Sequence, residues 1–433
     1  MKFVLTLTSC MLSAQALQLP AMGNNHKFLS VKMNKMPSNA FISKVIGVII
    51  SISAANSDML LPSFALADDA FANQGAASGT RVNSDPDSLL RYGLPIENSD
   101  VRNIQTSIEY AKANLRTRRP AFAASDLQKC SDLLNKNGEK IVNKMPPEHK
   151  EAGIKSLAAL KADIGPVEKA IADANVAGQG SEQQLKALER AKEAQGVLAN
   201  ELSNFEGLLV PDGYKRKIPE EFANLPSLQG RAEVEMVIKK PDGSQYDVDG
   251  KLYDQVTLTM VIDGYNAPLT GGNFIDLVNK GYYNNKKIDR SDGFVVQLGD
   301  NDPGGEVHGY VEGGVLRKIP LEISLKGDKE LIYSSTVEDE GRGNAASVLQ
   351  FQAYGAMGMA REEFDVDSAS TQFFWLLFES DLTPAGKNLL DGRYSCFGYT
   401  VKNADLLKGV KEGDIIKSAK VIKGNDKLIP GKL

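Results

Sequence analysis

From Ser99 onward, apolar side chains recur at steps of three and four. Val101, Ile104, Ile108, Ala111 and Leu115 fall on one face of a helix. Leu127, Cys130, Leu134 and Ile141 form a second face after Pro120. Ile154, Leu157, Ile164 and Ile171 form a third after the Met145-Pro146-Pro147 break. Leu185, Leu188, Leu198, Leu202, Phe205 and Leu209 make a fourth, with Ser181 placed to cap it and Glu182 just inside. Four amphipathic helices with short breaks predict an antiparallel four-helix bundle over residues 96–210. No Glu-x-x-His pair lies on them, so a di-iron core is unsupported. The Arg116-Thr117-Arg118-Arg119 cluster reads as a solvated helix end or as a grip for an acidic partner.

Beyond a linker at 211–230 the period switches to two. Ala232, Val234, Met236 and Ile238 alternate with Arg231, Glu233 and Glu235, and Val256, Leu258, Met260 and Ile262 alternate with Thr257 and Thr259. Further strand-like runs occur at 294–298, 319–323, 356–360, 373–378, 396–401 and 415–422. Short helices are expected at 272–280, ending at Gly281, and at 405–411. About eight strands and two helices over residues 231–433 suggest a closed antiparallel barrel, which leaves no exposed edge. The fold class is therefore α+β and multidomain.

The head of the chain has a different character. Residues 3–16 are apolar after Met1-Lys2 and end in Ala14-Gln15-Ala16, the pattern of a secretory signal peptide at about 1–16. Residues 17–67 carry Lys27, Lys32, Lys35 and Lys44, then a second apolar run at 45–55 and Ala65-Leu66-Ala67. That run of about eleven residues is short for a bilayer-spanning helix, which needs about 20. Two tandem signals over 1–67 imply passage across several membranes, and the arrangement resembles lumen-targeting presequences of algae with secondary plastids. The resemblance implies the thylakoid lumen as destination, with no stable membrane span after processing near Asp68 or, at the Ala70-Phe71-Ala72 triplet, after Ala72. Residues 68–95, rich in Ala, Gly, Ser, Asn and Asp, read as a linker.

Charge follows the same division. The whole chain carries a formal net charge of -5, but the first 67 residues hold five lysines against one acid, so the body is acidic. This argues against nucleic acid as a partner. With three cysteines and three histidines, no disulfide framework or metal knuckle is visible. Cys130 and Cys396 fall in different domains, and His149 and His308 read as solvated surface residues.

Several short segments, taken in order, carry a family resemblance. They are Asp292-Gly293-Phe294-Val295-Val296-Gln297-Leu298-Gly299-Asp300, Met359-Ala360, Thr371-Gln372-Phe373-Phe374, Leu390-Asp391-Gly392-Arg393 and Phe397-Gly398. Residues 252–424 resemble cyclophilins, eight-stranded barrels that isomerise peptidyl-prolyl bonds. Ile319-Pro320-Leu321-Glu322-Ile323, Ala360-Arg361-Glu362-Glu363-Phe364 and Leu389-Leu390-Asp391-Gly392-Arg393-Tyr394 resemble the multidomain cyclophilins of the thylakoid lumen.

The resemblance implies that Phe294, Val295, Phe374 and Leu390 wall a proline pocket. Gln297 would bond the substrate backbone, Ala360 and Arg361 would lie along the peptide, and Arg290 would be the catalytic donor. The last assignment requires one residue deleted from the loop; the ungapped position is Asp289. Leu389 stands where the family has tryptophan, Tyr394 where it has the pocket histidine, and Val295 where it has methionine. The resemblance therefore implies an isomerase with weakened catalysis, or a non-catalytic chaperone or assembly scaffold for photosystem II. Its partners would be proline-containing protein clients, photosystem II subunits among them, and it would need no cofactor or metal. Twisting an X-Pro bond meets a barrier of about 18–20 kcal/mol set by amide conjugation, and lowering it takes preorganised donors beside a dry pocket.

Overall fold

The computed structural model describes residues 83–300, 309–377 and 388–432. The expected presequence, the start of the 68–95 linker and His308 lie outside them. The rest of that linker contains a helix, α1 (Pro86–Tyr92), capped by the Asp85 carboxylate, which accepts from Ser88 N at 3.2 Å. Seven residues are too short to show a period, and Leu89 and Leu90 are buried only through tertiary partners.

Four long helices follow: α2 (Ser99–Arg116), α3 (Pro120–Asn143), α4 (Lys150–Val176) and α5 (Glu182–Gly207). Asn98 caps α2 and Ser181 caps α5, its Oγ accepting from Gln184 N at 3.1 Å. Pro120 and Pro147 restart the chain where a missing N–H is harmless. The helices share one apolar core, and their hydrogen bonds reveal how they run. Asn137 of α3 donates to Asp100 of α2 at 3.1 Å, while Asn114 of α2 donates to Asp126 of α3 at 2.8 Å. Gln195 of α5 donates to Ile108 O of α2, and Arg190 of α5 pairs with Asp173 of α4. Neighbours thus run oppositely, with the 117–119 and 177–181 turns at one end. Ile154 and Leu185, expected in this core, are exposed; Leu160 and Val167 on α4 take the inward positions.

The second region is an eight-stranded antiparallel sheet. Its strands are β1 (Arg231–Lys239), β2 (Val256–Asp263), β3 (Ile288–Ser291), β4 (Val295–Leu298), β5 (Ala356–Met359), β6 (Phe373–Leu376), β7 (Cys396–Lys402) and β8 (Ile415–Lys423). The order is β8-β1-β2-β7-β5-β6-β4-β3. It curls until its edges meet: Asn285 N donates to Ile416 O at 2.7 Å, and Ile288 N to Asp414 O at 2.7 Å. One strand differs from expectation. The 319–323 run supplies only Glu322–Ile323, paired with Ile332–Tyr333 outside the sheet, and the eighth strand is β3. A four-residue strand with three polar residues has no apolar alternation to announce it. The expected helix at 405–411 is a 3₁₀ turn, Ala404–Gly409.

Alternation divides each strand between two faces. Val296, Leu298, Phe373, Trp375 and Phe397 point inward with Phe274 of helix α6 (Pro268–Asn279). Val295, Phe374, Leu376 and Tyr399 point outward into a smaller apolar cluster with Leu349, Phe351 and the two α1 leucines. Segment 86–94 is stitched to both regions. Arg231 of β1 donates to Leu90 O at 2.5 Å and Asn266 to Gly93 O at 2.7 Å, while Arg102 of α2 donates to Leu94 O at 2.8 Å. Cys130 and Cys396 are free thiols buried in separate clusters. His149 is not simply solvated: its ring nitrogens engage Leu208 O at 2.9 Å and Asp212 at 3.1 Å.

Candidate functional site

The site lies on the outer face of β3, β4, β5 and β6. Strands β3 and β4 join through an Asp-Gly turn, with Gly293 at φ +84°, a conformation that costs glycine little. Asp292 organises this turn. Its Oδ1 accepts from Phe294 N at 3.0 Å and Val295 N at 3.1 Å, and its Oδ2 accepts from Arg290 Nε at 2.8 Å. Burial works to raise the Asp292 pKa, but these N–H groups and the guanidinium outweigh it and hold the carboxyl below its ordinary value.

Between Ile288 and Arg290 the β3–β4 register shifts by one residue. The bulge absorbs Asp289 and sets Arg290 directly opposite Gln297, and paired residues in a sheet share a face. Asp289 is occupied elsewhere, accepting from Asp300 N at 3.0 Å. Gln297, buried on β4, donates to Gln372 Oε1 at 2.8 Å, and Gln372 O in turn accepts from Ala360 N at 2.9 Å. Arg290, Gln297, Gln372 and Ala360 therefore form a polar row across the outer face.

Beside this row lies the apolar group. Val295 and Phe374 are each 4% exposed, with Ala360, Leu390 and Tyr394 packed against the same cluster. The Tyr394 ring meets Phe374 edge-on at 5.9 Å, and the Arg361 guanidinium lies 4.9 Å over the Tyr394 ring. Burial raises the Tyr394 pKa above its ordinary value, so its hydroxyl keeps its proton. Arg361 also donates to Arg393 O at 3.0 Å and to Glu362 O at 2.7 Å, which ties it to the rim. Phe294 is half-buried at the turn, and Leu389 is 49% exposed, away from the apolar group.

Three site features have no counterpart in the sequence reading. Phe351 stacks on Phe374 at 5.9 Å, with planes 16° apart. Its backbone N–H donates to Asp391 at 2.8 Å and its carbonyl accepts from Asn388 at 2.9 Å, so the Leu-Asp-Gly turn is pinned behind the pocket. Gly358, paired with Phe374, leaves room for that ring. Gln372 was legible in principle, since it precedes Phe374 by two and so shares its face. Phe351 was not, because it stands between two glutamines in a stretch that forms no regular element.

The fold is a curled eight-stranded antiparallel sheet of the cyclophilin kind, and its outer face carries an arginine, two glutamines and a packed aromatic cluster. Residues 248–428 match the family described as cyclophilin type peptidyl-prolyl cis-trans isomerase/CLD, and residues 85–197 match the CYP38-like, PsbQ-like domain. Peptidyl-prolyl cis-trans isomerase CYP38, chloroplastic, of Arabidopsis thaliana is 37% identical over 352 residues, 79% of this chain and 75% of that protein. The putative thylakoid lumen peptidyl-prolyl cis-trans isomerase sll0408 of Synechocystis is 37% identical over 359 residues, 82% of this chain and 87% of that protein. CYP37, chloroplastic, of Arabidopsis thaliana is 31% identical over 381 residues, 85% of this chain and 76% of that protein. The chain belongs to the cyclophilin-type peptidyl-prolyl cis-trans isomerases, in the branch that places a PsbQ-like helical domain before the cyclophilin domain.

Proposed function

We propose that this protein is a peptidyl-prolyl cis-trans isomerase of the thylakoid lumen, acting on proline-containing segments of membrane-protein clients, photosystem II subunits among them, during folding or assembly. The helical region is read as an antiparallel four-helix bundle and the sheet as a closed barrel, and the names of the relatives support the compartment. The observation that carries the activity is the pairing of Arg290 with Gln297 beside the Val295–Phe374 wall. In this mechanism the proline ring sits on the apolar wall and Gln297 and the Ala360 backbone hold the peptide. The guanidinium of Arg290 donates to the nitrogen as it loses conjugation, and the donors are fixed before the bond turns, so no reorganisation is needed at the barrier. Catalysis is weaker than in relatives with a methionine at the Val295 position, because a smaller wall orients the ring less well.

The near-complete burial of Val295 and Phe374 favours a second reading, a scaffold that holds clients without turning them over. NMR exchange spectroscopy on an Ala-Pro peptide separates the two. Acceleration by the chain that is lost in Arg290→Ala establishes the isomerase and its donor. Peptide shifts without acceleration establish the scaffold.

A further inference from the structure

The turn between α2 and α3 presents Arg116, Arg118 and Arg119, all exposed, and none has a carboxylate partner among the described residues. The turn is fixed rather than loose. Arg118 sits at φ +56°, and Arg119 N donates to Asn114 O at 2.8 Å. The carboxylates nearby are already matched: Asp126 by Lys129, Asp173 by Arg190, Glu182 by Lys186 and Glu189 by Lys192. Three uncompensated positive charges therefore gather at one point of a protein whose body is otherwise acidic.

The same end exposes apolar side chains. Phe122, in the first turn of α3, is 64% exposed; Val176, in the last turn of α4, is 89% exposed; Leu185, in the first turn of α5, is 38% exposed. The antiparallel run of the helices brings the 117–119 and 177–181 turns to this end. The opposite end is marked by Asp100 with Asn137, and segment 85–94 lies alongside α2, from Asp85 paired with Lys112 to Leu94 O accepting from Arg102. At 1.5 Å per residue, α3 and α4 set the two ends about 35–40 Å apart.

We propose that this far end is a docking surface for an anionic lipid bilayer. Arginines beside protruding apolar side chains at a helix end suit an interface where guanidinium groups bond head-group oxygens and the apolar tips enter the acyl boundary. The tip has the opposite charge to such a surface while the body has the same charge, so the protein approaches tip first. A binding site for an acidic protein loop would want its apolar groups recessed, and Phe122 and Val176 stand out here; the hollow beside Leu185 is flanked by Glu182 and Glu189, which would repel such a loop. The proposal is independent of the isomerase reading, since it uses no residue of that site.

The test uses the chain from Asp68, which contains every described residue, with vesicles of phosphatidylcholine alone or mixed with phosphatidylglycerol. Cosedimentation is expected only with the anionic vesicles and is expected to weaken as salt rises. At about one kcal/mol per basic residue, the triple change Arg116→Gln, Arg118→Gln and Arg119→Gln lowers binding roughly a hundredfold. Phe122→Ser with Leu185→Ser lowers it also, without changing the salt dependence. Far-UV circular dichroism shows that the variants keep their helices, and Ala-Pro exchange stays at the parent level. Equal binding by the triple variant, or indifference of the parent to anionic vesicles, overturns the proposal. Arginine-dependent binding to poly-aspartate with no vesicle binding would overturn it in favour of an acidic protein partner.

Discussion

The ring of Phe374 occupies the space that a side chain on Gly358 would need: an added Cβ would stand 2.3 Å from its Cζ and 2.8 Å from Phe351 Cε1. Glycine on β5 is thus what lets the pocket aromatic lie flat between Phe351 and Tyr394. Gly358→Ala forces Phe374 outward, because Phe351 is pinned behind it. The expected cost is about 1–3 kcal/mol of stability. Ala-Pro exchange should change several-fold if the proposed proline wall includes this ring. A melt and an exchange measurement indistinguishable from the parent would show that the ring position does not matter.

Arg290 owes its orientation to Asp292, two residues on, which receives its Nε at 2.8 Å. Asp292→Ala removes that bond together with the two backbone bonds that shape the Asp-Gly turn. The expected result is a loss of acceleration smaller than that of Arg290→Ala, with peptide affinity nearly unchanged. Loss of affinity with turnover intact would mean that the turn serves binding and not the donor.

The legible and illegible parts of this site differ for physical reasons. Strands such as β1 and β2 bury alternate residues, and their period of two is plain in Ala232, Val234, Met236 and Ile238. The order of short motifs located Gln297, Phe374 and Leu390, all of which come to the same outer face or its edge. Strand β3 is invisible to periodicity, because its position rests on a bulge and on hydrogen bonds to distant β8. Helix α1 is equally hidden, since its two leucines find their partners only once the sheet is formed. Ile154 and Leu185 matched a helical face by spacing, yet each lies at the exposed edge of its stripe. Spacing gives the period but not the phase of the buried arc.

Asp391 should be structural in effect though it lies within the site. Its two carboxylate oxygens accept from Phe351 N at 2.8 Å and Asn388 N at 3.1 Å, both buried. Asp391→Ala leaves these N–H groups without acceptors, at a cost of about 3 kcal/mol. Because Leu390 and Tyr394 are carried by the same turn, peptide binding should fall along with the melting temperature. Asp391→Asn keeps an acceptor oxygen and should recover most of the stability.

Stability should also depend on pH, through Glu206. The side chain is fully buried on α5, and both carboxylate oxygens lack a hydrogen-bond partner among the described residues. Burial pushes its pKa from 4.5 up to about 7, against the pull of Arg102 and Arg91; Glu109 adds to the rise and Arg231 opposes it. The folded chain therefore keeps this proton to about pH 7, whereas the unfolded chain releases it near 4.5. Between those values the folded state binds more protons, so its stability falls as pH rises across the window and is greatest below it. Glu322, buried against the start of α6 and also raised to about 7, acts in the same direction. Glu206→Gln removes one of the two contributions. The variant should match the parent at pH 5 and exceed it at pH 8 by on the order of 3 kcal/mol, read from denaturant melts at the two pH values. Parallel curves for the two proteins would show that Glu206 is not the group that titrates.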